Sequence, residues 1–114
     1  MIALIEDEPR IRVPLAKALS EAGYQVVSAA SGFEGRDLLA THDVDVAVID
    51  LRLPGRLDGV ALAGEARRQH PHLPIIFVSG APPDDDAIKD GRFLQKPFTD
   101  EELLQEIRAC LASA

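Results

Sequence analysis

The sequence predicts an α/β domain built on a five-stranded parallel sheet, doubly wound with helices on both faces. Short aliphatic runs alternate with longer amphipathic segments along the whole 114 residues, which is the pattern of repeated strand and helix units. The middle runs are nearly continuous in Val, Ile and Ala instead of alternating apolar with polar, as strands covered on both faces require. The length suits one domain, residues 1–114, so any output module is expected on another polypeptide.

The first strand is read at Met1 to Ile5. A helix follows over Pro9 to Ala22, with Ile11, Leu15, Ala18, Leu19 and Ala22 on one face and Gly23 as its stop. Pro14 lies beyond the first turn, so a kink or a later helix start is expected there. The second strand, Gln25 to Ala29, leads into a helix capped by Ser31 and ending near Thr41. Val44 to Ile49 forms the third strand, and the next helix starts near Asp58-Gly59 and stops before Pro71. Pro74 to Val78 is the fourth strand and Arg92 to Gln95 the weaker fifth. The last helix opens on Thr99-Asp100-Glu101-Glu102, a capping box, and carries Leu103, Leu104, Ile107 and Leu111.

The fourth crossover, Ala81 to Gly91, is close to the minimum of about 10 to 12 residues for a parallel crossover including its helix. Pro82, Pro83 and Gly91 consume its ends, which leaves Asp84 to Asp90 for one or two turns. A short, shifted or poorly ordered fourth helix is the expectation.

Composition narrows the function. A net charge of −7 disfavours unaided binding to nucleic acid or anionic membranes. The core must be aliphatic, since aromatic residues make up only 4% of the chain and Trp is absent. Cys110 is the only cysteine, which excludes a disulfide and a cysteine metal centre and fits a reducing compartment. The N-terminus reads as a strand, not as a signal peptide, and no run has the length of a membrane span. A cytoplasmic location is expected.

In an open parallel sheet, ligands bind outside the carboxyl ends of the strands. Here the first run ends at Glu6-Asp7-Glu8, the third at Asp50, the fourth at Ser79-Gly80 and the fifth at Lys96-Pro97. Carboxylates gathered at one edge repel, and a bound hard cation or a raised pKa relieves them. Oxygen donors with room for water suit Mg2+. A carboxylate beside such an ion can attack phosphorus, with Lys96 as a second charge and Ser79 as a neutral donor, so the set describes phosphoryl transfer.

These residues resemble the receiver domains of two-component response regulators over essentially the whole chain. The markers are Ile5-Glu6-Asp7-Glu8-Pro9, Val48-Ile49-Asp50-Leu51-Arg52-Leu53-Pro54, Asp58-Gly59, Phe77-Val78-Ser79-Gly80 and Lys96-Pro97-Phe98, all in order at strand ends. The resemblance implies a flavodoxin-like sheet in the order 2-1-3-4-5. It implies Asp50 as phospho-acceptor, with Mg2+ bound directly by Asp7, Asp50 and the Arg52 carbonyl and through water by Glu6. It further implies Ser79 and Lys96 as partners of the phosphoryl group, Phe93 as the switch aromatic and a cis Lys96-Pro97 peptide. The partners it implies are a histidine kinase or phosphotransfer protein upstream and a protein downstream, with the chain a monomer or weak dimer. In this reading the chain is a signalling receiver, not a classical enzyme, and catalyses only its own phosphorylation and dephosphorylation.

Two departures from the family pattern stand out. The loop between Pro54 and Asp58-Gly59 is one residue longer than the commonest form, and the interval from Ser79 to Lys96 is short. The short interval resembles receivers, stand-alone or in hybrid kinases, with a reduced fourth helix, and Phe-Val-Ser-Gly is similar to the Phe-x-x-Thr-Gly motif of one single-domain group. Two alternatives are a haloacid-dehalogenase-like phosphatase, which wants an acid where Arg52 stands, and a pseudo-receiver that binds partners without phosphorylation. A flavodoxin-like cofactor binder would meet phosphate with Glu6-Asp7-Glu8, which repel it.

Overall fold

The computed structural model describes residues 1–83, 88 and 91–112. Its elements in chain order are β1 (Ile2–Ile5), α1 (Pro9–Glu21), β2 (Val26–Ala29), α2 (Gly32–Thr41), β3 (Val46–Asp50), α3 (Gly59–Gln69), β4 (Ile75–Ser79), β5 (Arg92–Gln95) and α4 (Asp100–Ala112). The five strands are all parallel, in the order β2-β1-β3-β4-β5. The order reverses direction between β1 and β3, and the crevice at that switch is where such sheets place a ligand.

β1, β3 and β4 are buried along their whole lengths, which accounts for their unbroken aliphatic sequences. Each face of the sheet carries its own core. Ile5, Ile49 and Phe77 pack on one side with Leu39 of α2 and Leu62 and Ala66 of α3. Leu4, Val48 and Val78 pack on the other with Leu15 and Leu19 of α1 and Leu103 and Ile107 of α4. Alternate side chains of a strand point to opposite faces, so consecutive apolar residues feed both cores.

Helix ends follow their local chemistry. α1 begins at Pro9, where the missing N–H costs nothing, and continues through Pro14 as one helix, so the later start does not occur. Past its end, Gly23 takes a φ of 101°, a left-handed conformation that a side chain would strain. Ser31 caps α2 by accepting the Glu34 N–H at 3.2 Å, while the Glu34 carboxylate accepts the Ala30 N–H at 3.0 Å. Ser31→Ala should therefore cost about 1 kcal/mol, visible as a melting temperature lower by a few degrees. Asp58 caps α3 through the Ala61 N–H. Thr99 and Glu102 form the reciprocal capping box of α4, at 3.1 and 3.0 Å.

The expected short helix between β4 and β5, at Asp84 to Asp90, lies outside the described residues apart from Ile88, which packs against the α2–α3 side of the core. No helix among the described residues is long and apolar enough to cross a membrane.

Candidate functional site

Backbone ladders continue one residue past three strands and hold the site residues rigidly. The Glu6 N–H donates to the Ala29 carbonyl at 3.0 Å, which carries the β1–β2 ladder beyond Ile5. The Leu51 N–H donates to the Val78 carbonyl at 3.0 Å, just after Asp50, and the Lys96 N–H donates to the Ser79 carbonyl at 2.8 Å. Side chains carried on such positions are better fixed than side chains on loops.

Glu6, Asp50 and Ser79 are the buried polar residues of the described chain, and all three stand at the carboxyl ends of strands. The Lys96 ammonium donates to Glu6 Oε1 at 2.6 Å and to Asp50 Oδ2 at 2.8 Å. The other oxygens are also held: Asp50 Oδ1 accepts the Arg52 N–H at 2.8 Å and Glu6 Oε2 accepts the Glu8 N–H at 3.1 Å. Asp7 is half-buried beside them, and carboxylate oxygens of Glu6, Asp7 and Asp50 lie within 4.8 Å of one another.

One lysine faces two buried acids, and the electrostatics are uneven. Burial pushes the Glu6 carboxyl up to about 7; the Lys96 hydrogen bond opposes this and the adjoining Asp50 reinforces it. Asp50 also loses solvation on burial, but the hydrogen bonds from Lys96 and the Arg52 N–H outweigh it and hold its carboxyl below the ordinary aspartate value. Burial disfavours the Lys96 charge as well, and the two carboxylates overcome it and raise the lysine. Of the two buried acids, Asp50 is therefore the one whose surroundings favour the anion. Three oxygen donors, buried with less positive charge than they need, fit a hard divalent cation such as Mg2+.

Of the residues singled out by sequence, Glu6, Asp7, Asp50 and Lys96 come together. The Arg52 backbone joins them through its N–H, while its side chain is exposed. The Ser79 hydroxyl accepts the Ala81 N–H at 3.3 Å at the mouth of the site, where Leu51, Arg52, Val60, Ala81, Pro82 and Pro83 line a cleft. Phe93 lies one strand further out, half-buried and in register with Phe77, away from the acids. The Lys96-Pro97 peptide is cis.

Arg12 went unnoticed in the sequence. Its guanidinium donates to the Glu6 carbonyl at 2.9 Å and to the Asp7 carbonyl at 3.3 Å, so α1 clamps the acidic loop. The only signal was a basic residue at the end of the first turn of the helix that follows three acids, which alone carries no information about a backbone contact.

A larger groove, about 950 Å3, opens at the opposite end of the sheet and is lined by His70, His72, Arg92 and Cys110 among others. Among the described residues, the potential metal cluster lies at the acidic edge and not in this groove.

Comparisons with known proteins agree with this geometry. The family model of the response regulator receiver domain matches residues 2–108. The chain is 35% identical to the response regulator receiver protein CpdR of Brucella abortus (strain 2308), over 99% of this chain and 98% of that protein. It is 36% identical to sensor kinase CckA of the same strain, over 96% of this chain but 12% of that longer protein. In the crystal structure of the receiver domain of NtrX from Brucella abortus, the match covers 100% of both chains at 30% identity, with a TM-score of 0.90. With the family model spanning nearly all of its length and the acids, hydroxyl and lysine gathered at the sheet's carboxyl edge, the chain belongs to the response regulator receiver domain family.

Proposed function

We infer that residues 1–114 act as a cytoplasmic phospho-acceptor in a two-component relay, with Asp50 taking a phosphoryl group from the phosphohistidine of a partner kinase or phosphotransfer protein. The observation that carries this reading is the Asp50 carboxylate itself. It is 4% exposed, held ionised by Lys96 and the Arg52 N–H, and surrounded by the oxygens of Glu6 and Asp7.

In the reaction an Asp50 oxygen attacks phosphorus, the phosphorus–nitrogen bond breaks, and the electron pair leaves on the imidazole. Asp7, Asp50 and the Arg52 carbonyl would hold Mg2+ directly, and Glu6 would hold it through water. Bound there, the ion supplies charge that offsets the phosphoryl oxygens. Lys96 adds a second positive charge within reach of the same oxygens. The Ser79 hydroxyl, which among the described residues accepts only a backbone N–H, can turn its proton toward them. Phe93, on the edge strand beside β4, would respond to that movement and alter the face read by a downstream protein.

Incubation with acetyl phosphate should add one phosphoryl mass to the intact chain when Mg2+ is present and none in EDTA, with tandem spectra placing it on Asp50. A stable phosphoryl group on another side chain, with Asp50 unmodified, overturns the reading.

A further inference from the structure

The segment from Leu51 to Asp58 has no regular secondary structure, carries one residue more than the usual pattern, and yet supplies the Arg52 backbone to the site. Something outside the segment must hold it. Leu53 and Leu57 are buried and anchor it to the α2–α3 side of the core, whereas Pro54 to Arg56 are exposed, so added length there meets only solvent.

Two glycines bring helix backbone so close to the segment that no side chain would fit. At Gly59, the first residue of α3, a Cβ would overlap the Asp50 carbonyl oxygen and come within 2.7 Å of the Leu51 Cα. The Gly59 N–H also donates to the Leu51 carbonyl at 3.3 Å. At Gly32, the first residue of α2, a Cβ would overlap the Leu57 carbonyl oxygen and lie 2.9 Å from its carbon. The loop is thus gripped at both ends by helix N-termini that lack a side chain.

We propose that Gly59, assisted by Gly32, is a positioning residue for the acceptor: the bare first turn of α3 presses on the Asp50–Leu51 peptide and so sets where the Asp50 carboxylate and the Arg52 backbone stand. The contact is backbone to backbone, so a Cβ cannot be absorbed by a rotamer change; either α3 or the Asp50–Leu51 peptide must move. Displacing the peptide carries the Asp50 carboxylate with it, away from Glu6, Asp7 and Lys96. This role rests on the reading of Asp50 as a metal-dependent acceptor.

The test compares Gly59→Ala with two controls. Gly64→Ala makes the same substitution in the same helix, where a Cβ meets nothing within 4 Å. Ile107→Val loosens the core on the opposite face of the sheet and lowers stability without touching the loop. Mg2+ affinity is measured by amide NMR titration at a temperature where every variant is folded, and occupancy of Asp50 by fluorine NMR of beryllium fluoride. Gly59→Ala should weaken Mg2+ binding by about tenfold or more, as loss of the groups that orient metal ligands does, while both controls stay within about twofold of wild type. Should Gly59→Ala not melt cooperatively, Gly32→Ala, which meets the loop at Leu57, carries the same comparison. A folded glycine variant that binds Mg2+ and beryllium fluoride as wild type does, or a fall matched by Ile107→Val, overturns the positioning role alone. Wild type that binds neither overturns the acceptor reading, and the positioning role with it.

Discussion

Asp50→Asn should abolish phosphorylation by acetyl phosphate or by a partner phosphohistidine, leaving no phosphoryl mass at any Mg2+ concentration. The amide can occupy the same space and accept the Arg52 N–H, so the fold should survive, but it has no anionic oxygen with which to attack phosphorus. The Glu6 carboxyl is held by Lys96 and the Glu8 N–H, and its proton affinity is raised, which makes it a poor nucleophile near neutral pH. Asp7 remains on the solvent side of the cluster, only half-buried. The same substitution removes one of three carboxylates from the cluster, so Mg2+ binding should weaken by about tenfold or more. Intact-mass spectrometry and an Mg2+ titration read the two losses separately. Undiminished phosphorylation of Asp50→Asn would show that the acceptor lies elsewhere.

The second large effect concerns pH in the absence of metal. Glu6 binds its proton more tightly in the folded chain, with a value near 7 against 4.5 for an ordinary glutamate. Its contribution to stability is therefore fully present below about pH 4.5 and is lost as pH rises through about 7. At about 1.4 kcal/mol for each pH unit of displacement, the loss amounts to about 3 kcal/mol. Asp50 works in the opposite sense, since its lowered value adds stability above its ordinary titration range and loses it only in more acid solution. In EDTA the melting temperature should fall from about pH 5 to about pH 8, by about 10 °C or more.

Glu6→Gln keeps the shape and cannot ionise, so it should flatten that slope and exceed wild type at the alkaline end. The comparison also cancels any titration of the three histidines, which both proteins share. Mg2+ should act in reverse, stabilising wild type more as pH rises, because a cation favours the ionised carboxylates. Equal slopes for wild type and Glu6→Gln in EDTA would mean that Glu6 is not the group responsible.

Much of this molecule is legible in one dimension. Short continuous aliphatic runs bounded by turn residues read as strands, and all five were read to within two residues of their observed ends. The cap at Ser31 and the box at Thr99 and Glu102 were legible because each depends on residues no more than three apart, whereas Asp58 read only as the neighbourhood of a helix start and its capping bond emerged in the structure. The site was legible to the same extent. A strand's last residue must emerge at the sheet's carboxyl edge, so Glu6, Asp7, Asp50, Ser79 and Lys96 were certain to share an edge once the runs were strands.

What shares an edge need not touch, and the division of roles among the acids was decided in three dimensions. Glu6 and Asp7 are neighbours in sequence, yet only Glu6 is fully buried and only Glu6 meets Lys96, a partner 90 residues away. Which acid is driven toward its protonated form depends on burial and on the hydrogen bonds that oppose it, and the Lys96 partner comes from far along the chain. The Arg12 clamp on two carbonyls and the bare contact of Gly59 with the Asp50–Leu51 peptide are likewise invisible in sequence, since they depend on how closely helices settle on the sheet. The sequence by itself determined the strands, the helix caps and the membership of the acidic edge, because local periodicity and capping chemistry suffice for them. Only the tertiary structure decided which carboxylates are buried against Lys96 and which stays toward solvent, because that is a matter of ångströms between groups brought together by separate crossovers.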